Sequence, residues 1–260
     1  MRPLSSRVLA GAMLAVAALS CGEVPTLPDG IAYISTVILP SPAVALGDTL
    51  RDSLGVSTPL RVYGIGSGGD TIAVTPTFVV TTVPGKGIKL SSSGIVVGDS
   101  VRTVQIVGQV GSRLQTPSAP LDVVLQPDSI APTSSLRSVL TATGTELLAT
   151  STPLSVIVTS GRGAARAGVK SIIVRYRVER WFPSTFVFPD TTLVLLDDAT
   201  RFRLPDGRVS ADTSDASGGA ARRVRTLPVG FDSLEISASA NNLKGVPLRG
   251  SPVRFTITTK

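Results

Sequence analysis

Histidine and cysteine, the residue types that carry much of the acid–base and metal chemistry near neutral pH, are almost missing from this chain. Its 260 residues contain no His and a single Cys, at position 21. The commonest general base and the commonest metal ligand are therefore absent. One Cys forms neither an internal disulfide nor a thiolate zinc cluster. We expect no catalytic residue, no metal centre and no cofactor.

Aspartates in the last third of the chain are the remaining candidates for site chemistry. Their carboxylates could supply hard oxygen ligands to calcium or form a hydrolase pair. The spacing matches no calcium loop, and no pattern puts two of them across a cleft, so turn formation is the simpler explanation. Whether calcium binds the region 190–215 stays open. The six residues are Asp190, Asp197, Asp198, Asp206, Asp212 and Asp215.

Positive charge is concentrated in the second half of the chain. Residues 31–126 hold six Lys and Arg against five Asp and Glu, whereas residues 132–260 hold seventeen against ten. A solvated surface is the simpler interpretation, and the alternative is a sheet face that contacts polyanions such as lipopolysaccharide phosphates or acidic glycans. Guanidinium groups suit bidentate contact with phosphate or carboxylate. The candidate contacts are Arg175, Arg177, Arg222, Arg223 and Arg225.

Four of the eleven aromatic residues lie close together, at Trp181, Phe182, Phe186 and Phe188. One interpretation is an exposed loop that stacks on a sugar or a partner. The alternative, which we favour, is that the rings fill the centre of the domain, because each aromatic ring buries about 150–250 Å².

A glycine pattern at Gly64, Gly66 and Gly69 matches the dinucleotide-binding fingerprint letter by letter. That fingerprint requires a helix N-terminus to receive the pyrophosphate. Here the β-prone residues 70–74 follow, so we predict a flexible hairpin loop over residues 64–70.

Alternation with a period of two runs through the second half and predicts strands with one buried face. Between residues 169 and 179, Val174, Tyr176 and Val178 point one way, and Arg175, Arg177 and Glu179 point the other. The last strand alternates similarly, with Val253, Phe255 and Ile257 inward. Short β-prone runs at residues 33–39, 60–63, 71–83 and 101–110 predict the same architecture in the first half. We predict an all-β fold with two β-sandwiches.

The N-terminus has the features of a secretory signal. Arg2 and Arg7 precede the apolar run 8–19, which is too short to span a bilayer of about 20 helical residues. The segment Ala18-Leu19-Ser20-Cys21-Gly22 resembles the lipobox of bacterial lipoproteins, which implies cleavage after residue 20 and lipid attachment to Cys21. Ala18 departs from the usual Leu. The alternative is ordinary cleavage after residue 17, which would leave Cys21 as a free thiol. By resemblance to other lipoproteins, Gly22 in place of an Asp after the Cys permits sorting to the outer membrane.

Two further resemblances cover the two halves. Val37 to Pro40, the Gly47-Asp48-Thr49 turn and residues 93–98 resemble the bacterial Ig-like group 2 domain, with Phe78 standing where that family has a Trp. Ala167-Gly168-Val169 and residues 213–221 resemble the group 1, invasin-type repeat, from which the longer segment 181–204 departs. The resemblances imply tandem immunoglobulin-like sandwiches over residues 31–126 and 132–260, after a signal peptide (1–20) and a tether (21–30). Pro127 and Pro132, at the two ends of the segment 127–132, predict a linker over residues 127–131.

These observations predict a non-catalytic, lipid-anchored lipoprotein of the cell envelope that presents its domains as a spacer or an adhesion stalk. The alternative is a protein that binds an anionic glycan or lipopolysaccharide through its basic second domain. The expected partners are the membrane, and a surface glycan or protein; nucleic acid is not expected outside the cell.

Overall fold

The computed structural model describes residues 30–82, 87–111, 114–142, 148–161, 163–185, 187, 193–197, 208–227 and 231–259. The predicted signal peptide, Cys21 and the tether up to residue 29 lie outside these residues. Among the described residues, no helix has the length and apolar character needed to cross a bilayer.

Ten short strands build the first sandwich. They are β1 (Ile31–Ile34), β2 (Ala43–Ala45), β3 (Tyr63–Gly66), β4 (Thr71–Ala73), β5 (Thr77–Val80), β6 (Ile88–Leu90), β7 (Val96–Gly98), β8 (Arg102–Val110), β9 (Leu114–Gln115) and β10 (Ala119–Val124). One sheet has the order β1-β3-β4, and the second has the order β2-β10-β8-β5, with β9 beside β8. Strands β6 and β7 pair as a separate ribbon. The pairing of β2 with β10 is parallel, and that of β8 with its neighbours is antiparallel.

Aliphatic side chains close this first interior. Leu50, Ile106 and Leu121 are fully buried, and Phe78 packs against them from a half-buried position. Apolar burial of this kind stabilises by roughly 25 cal/mol per Å² removed from water, so the first sandwich is held mainly by Val, Leu and Ile.

Twelve strands and one short 3-10 turn (Gly163–Ala165) follow. The strands are β11 (Ser129–Pro132), β12 (Arg137–Val139), β13 (Thr141–Ala142), β14 (Ala149–Thr150), β15 (Leu154–Ser160), β16 (Ala167–Gly168), β17 (Ile173–Phe182), β18 (Val194–Asp197), β19 (Val209–Thr213), β20 (Gly219–Thr226), β21 (Ser233–Ala240) and β22 (Val253–Thr258). One sheet has the order β11-β15-β20-β14-β13, with β16 beside β15 and β18 beside β20. The facing sheet has the order β12-β22-β21-β17-β19.

The predicted alternation is confirmed in the second sandwich. On β17, Val174, Tyr176 and Val178 are buried between the two sheets, whereas Arg175 and Arg177 are exposed. On β22, Val253, Phe255 and Ile257 are buried in the same cluster. The prediction of an all-β fold with two immunoglobulin-like sandwiches is therefore confirmed, while the signal peptide before them stays a prediction.

The glycine-rich segment is the predicted hairpin, but its loop is shorter than predicted. Gly64 and Gly66 belong to β3, and the turn closes where the Gly66 N–H donates to the Asp70 carbonyl over 2.9 Å. A Cβ on Gly64 would lie 3.0 Å from the Ile31 side chain, so close packing against β1 explains this glycine in a strand. Strand β4 follows, and not the helix that a dinucleotide fingerprint needs.

The predicted linker is largely a strand. β11 pairs antiparallel with β15, from Ser129 opposite Thr159 to Pro132 opposite Val156. Ile130 is buried in the second interior. A proline at the end of an edge strand interrupts no hydrogen bond of the sheet, although it has no N–H to donate. Pro132 ends β11 and Pro127 precedes it, so neither keeps this segment out of the sheet.

Candidate functional site

The five arginines predicted to contact polyanions do not form one face. Arg175 and Arg177 lie on the outer face of β17, in the five-stranded sheet. Arg223 and Arg225 lie on β20, in the facing sheet, where they are half-buried and alternate with the inward Val224. The outer faces of two packed sheets point away from each other, so the predicted single basic face is wrong.

Arg222 points into the second sandwich and is buried. Its Nε donates to Ser210 Oγ over 2.9 Å, and its Nη1 lies 3.0 Å from Asp212 Oδ2. The Nη groups also donate to the backbone carbonyls of Ala211 and Ala221. Arg222 therefore joins β20 of one sheet to β19 of the other. Its alternation with Ala220 and Val224 is the sequence signal that could have separated it from its neighbours.

Tyr176 makes a second polar link between the same two sheets. Its hydroxyl donates to the carbonyl of Ala220 over 2.9 Å. Burial raises the pKa of Tyr176, and the nearby Asp212 carboxylate raises it further, against the opposing effect of Arg222. The phenol therefore stays protonated and serves as a hydrogen-bond donor inside the interior.

A polar contact between the two sandwiches is centred on Asp122. Lys170 Nζ is 2.6 Å from Asp122 Oδ1, and the hydroxyl of Ser171 donates to Asp122 Oδ2. From its own sandwich, Thr103 Oγ1 donates to Asp122 Oδ1 over 2.5 Å. We call this group, Thr103, Asp122, Lys170 and Ser171, the Asp122 clamp.

The Asp122 clamp has a lowered carboxyl pKa and an unusual backbone conformation. Burial alone would raise the pKa of Asp122, but hydrogen bonds from Lys170, Ser171 and Thr103 outweigh it and hold the pKa below its ordinary 3.8. Ser171 has a φ of 61°, a left-handed conformation that is unfavourable for a residue with a side chain. Its N–H donates to the Ser214 carbonyl over 2.8 Å, which helps to hold it there.

A second contact joins two turns of the same geometry, residues 52–56 and residues 242–246. In the first turn, Asp52 Oδ1 accepts the N–H groups of the third and fifth residues, over 2.9 and 3.0 Å. In the second, Asn242 Oδ1 does the same over 2.9 and 3.0 Å. An Asp or Asn side chain that bonds to the backbone a few residues ahead is a common way to fix such a turn.

The two turns touch through their glycines. Gly55 and Gly245, the fourth residues, both have a positive φ, of 81° and 79°. A Cβ on Gly55 would lie 2.2 Å from the Lys244 carbonyl oxygen, and one on Gly245 would lie 2.8 Å from the Leu54 carbonyl oxygen. Only residues without a side chain allow the two backbones to come this close.

Charge and apolar packing extend this turn contact. Asp48 is bound by Arg51 Nη2 at 3.1 Å and faces Lys244 Nζ at 3.6 Å across the junction. Burial alone would raise the pKa of Asp48, but the Thr49 N–H and Arg51 outweigh it and lower the pKa. In addition, Ala43 and Val124 of the first sandwich belong to the buried cluster of the second. The junction thus combines apolar packing with polar contacts.

The predicted aromatic filling of the domain centre is partly wrong. Tyr176, Phe231 and Phe255 are the buried rings of the second interior, and Trp181 packs against that cluster from a half-buried position. Phe182 is 46% exposed, with the Arg180 guanidinium 5.4 Å from its ring centre. The other two predicted rings, Phe186 and Phe188, lie outside the described residues.

The aspartates considered for calcium are dispersed where the structure describes them. Asp212 pairs with Arg222, and Asp215 caps a turn by accepting the N–H groups of Ser217 and Gly219. The hydrogen bond from the Ser217 hydroxyl is the main reason why the pKa of Asp215 is lowered. Asp190, Asp198 and Asp206, and the Asp197 side chain, lie outside the described part. Within that part, no group of three or more Asp, Glu, His or Cys side chains could hold a metal.

Comparison with known proteins gives weak structural similarity. No protein-family model matches the chain, and no curated protein matches it in sequence. The adhesin InvE of Yersinia pseudotuberculosis is similar over 89% of this chain and 61% of its own, with 14% identity and a TM-score of 0.33. The chain thus spans about three fifths of that adhesin's length.

Two further solved structures are similar over most of their own length. Domains 4 and 5 of the S-layer protein SbsC match 87% of this chain and 96% of theirs, with 12% identity and a TM-score of 0.29. The fibronectin(III)-like modules of Clostridium thermocellum CbhA match 87% and 94%, with 14% identity and a TM-score of 0.28. Identities and TM-scores this low do not assign the chain to a family.

Proposed function

We propose that this chain is a non-catalytic lipoprotein of the cell envelope, which holds two immunoglobulin-like sandwiches in a fixed arrangement as a structural spacer or adhesion stalk. The observation that supports this proposal is the junction. A flexible linker would let the end-to-end distance fluctuate, whereas here the Asp122 clamp, the paired turns and the shared apolar cluster fix one domain against the other. A defined reach is the property that a spacer requires.

Anchoring is the second part of the proposal. Lipid on Cys21 would attach the chain to the outer membrane, with each buried CH₂ contributing about 0.8 kcal/mol. Metabolic labelling with a fatty acid tests the site: label should enter the natural chain and be lost in Cys21→Ser. Label retained in the variant would place the anchor elsewhere.

The spacer is tested by measuring the distance between the sandwiches in solution. In a Cys21→Ser background, Thr71→Cys on β4 and Thr256→Cys on β22 put spin labels on two exposed positions, one in each sandwich. Pulsed electron–electron double resonance between the two spin labels should give one narrow distance distribution. A control pair within the second sandwich, Thr213→Cys with Thr256→Cys, sets the width expected for a rigid body. A distribution much broader than this control would refute the rigid spacer.

A second candidate function, binding of an anionic glycan or lipopolysaccharide, is supported by the outer face of the five-stranded sheet that contains β17 and β22. Arg180 and Arg254 on this face are paired with Glu235. Arg175 and Arg177 are exposed, and their side chains make no ion pair with the described residues. Retention of the second sandwich on immobilised lipopolysaccharide that is lost at moderate salt and reduced by Arg177→Gln would support this function. Retention that salt does not weaken would contradict it.

A further inference from the structure

A small cleft opens between the two sandwiches, beside the Asp122 clamp and the two paired turns. Its walls come from Ser41 and residues 51–53 of the first sandwich and from residues 171–173, Arg175 and residues 241–243 of the second. Its volume is about 40 Å³, which is room for about three water molecules. A group of that size is an ion or the end of a larger molecule, and not a sugar chain.

Two arginines from different sandwiches, Arg51 and Arg175, line this cleft. Arg51 uses Nη1 and Nη2 on the Gly55 carbonyl and on Asp48, but its Nε is buried and has no acceptor among the described residues. A buried donor without an acceptor costs free energy, and an unseen water or ion is a usual explanation. The Arg175 guanidinium is exposed and forms no ion pair with the described residues.

The remaining polar groups also favour an acceptor in the cleft. Asn242 uses its Oδ1 to accept two backbone N–H groups, which leaves its amide NH₂ as a donor. Ser53 contributes a hydroxyl. Asp52 is the negative group of the wall, and its Oδ1 is held by the N–H groups of Leu54 and Val56. An anion therefore has to lie toward the two guanidinium groups and away from Asp52.

We propose that this cleft binds a phosphate group, held between the guanidinium groups of Arg51 and Arg175. Guanidinium forks match tetrahedral oxyanions in geometry and charge, and a boundary between domains is a common place for small-ligand sites. Because the walls belong to both sandwiches, the bound phosphate stabilises the arrangement that the junction sets. This inference is independent of the spacer function, which does not require a ligand.

Titration of the full chain with inorganic phosphate tests the site. The Nε–H signals of Arg51 and Arg175 in a proton–nitrogen correlation spectrum should shift saturably. Arg175→Gln should weaken the affinity about fivefold or more, because one of the two charge-assisted contacts is lost. The control is Arg137→Gln, an exposed arginine on β12 of the same sheet and outside the cleft, which should leave the affinity within about twofold.

Glycerol 3-phosphate, titrated in parallel, distinguishes the source of the phosphate. Tighter binding of the ester assigns the cleft to the phosphate end of a larger molecule, and tighter binding of inorganic phosphate assigns it to the free ion. Shifts that do not saturate with either probe, or equal weakening by Arg175→Gln and Arg137→Gln, would overturn the proposal. The spin-label distance of Arg175→Gln should equal that of the parent, so a failed phosphate site and a failed spacer are separable.

Discussion

Two acid–base pairs of similar chemistry lie in different parts of this molecule, Asp212–Arg222 inside the second sandwich and Asp122–Lys170 between the sandwiches. Each carboxylate also accepts other hydrogen bonds. Asp212 accepts the Ala221 N–H, and Asp122 accepts the hydroxyl groups of Thr103 and Ser171. Their basic partners differ in exposure, 5% for the Arg222 side chain against 33% for that of Lys170, whereas the carboxylates Asp212 and Asp122 are 23% and 16% exposed. The interior pair joins two sheets, whereas the junction pair joins two domains.

Burial decides what each pair contributes. Removing one partner of a buried pair leaves an uncompensated charge in the interior, and this is costly. A partly hydrated pair exchanges its partner for water at little cost. The comparison indicates that the second sandwich depends on its ion pair, and that the junction depends more on close packing than on charge.

The largest expected effect is at Arg222. Arg222→Met removes the guanidinium that pairs with Asp212 and donates to Ser210 and two backbone carbonyls, so we expect the free energy of unfolding to fall by about 3 kcal/mol. Urea denaturation followed by circular dichroism measures the loss.

The exposed Arg177→Met is the control for Arg222→Met, and it should change the free energy of unfolding by no more than about 0.5 kcal/mol. If the two variants were equally stable, the interior pair would be no more important than a surface residue.

An intermediate effect is expected at Gly55. Gly55→Ala places a Cβ against the Lys244 carbonyl at a positive φ, so it should cost about 2 kcal/mol and broaden the interdomain distance. Gly69 is the matched control, because it occupies the same position of a similar turn, has a φ of 84° and has nothing within 4 Å of a built Cβ.

Gly69→Ala should cost about 1 kcal/mol from backbone strain alone and leave the interdomain distance unchanged. The difference between these two variants measures the turn contact itself. Equal costs, with equal distances, would show that the two turns do not hold the sandwiches together.

The smallest expected effect is at Asp122. Asp122→Asn keeps the shape of the side chain but loses the charge, and should cost about 1 kcal/mol at neutral pH, because the pair is partly hydrated. The pKa of Asp122 is lower in the folded chain than its unfolded value of 3.8. Its contribution is therefore complete above that value and is lost as the pH falls through the folded pKa.

Stability measured against pH checks this assignment. The difference in unfolding free energy between the parent and Asp122→Asn should be constant at neutral pH and shrink below about pH 4, where both side chains are uncharged. A difference that instead changed near pH 6 or 7 would assign the titration to another group.

The alternation of apolar and polar residues predicted which face of each strand is buried, because this feature depends on the sequence of that strand alone. The faces of β17 and β22 follow from the alternation of Val, Tyr and Phe with Arg and Thr, because side chains in a strand point to opposite sides in turn. The same rule places Arg222 inside with Val224. It was missed because three arginines close together in sequence suggest a shared surface, although neighbours on a strand never face the same way.

The junction could not be predicted in the same way. Asp122 and Ser171 are far apart in the chain, and no local pattern in either segment indicates that they meet. The repeated turn sequence, Asp52 to Val56 and Asn242 to Val246, is visible in the sequence, but a turn motif does not say what it packs against. Contacts between domains are set by the shapes of finished surfaces, which exist only after each sandwich has formed.

The short connection between β10 and β11 affects how the two sandwiches come back together after thermal motion breaks the contacts of the junction. Residues 125–128 connect the two strands, and four extended residues span at most about 14 Å. If every contact at the junction were broken at once, the sandwiches would still be unable to drift apart. Each would then meet the other at a high effective concentration, so that rejoining becomes an intramolecular step that dilution of the protein does not weaken.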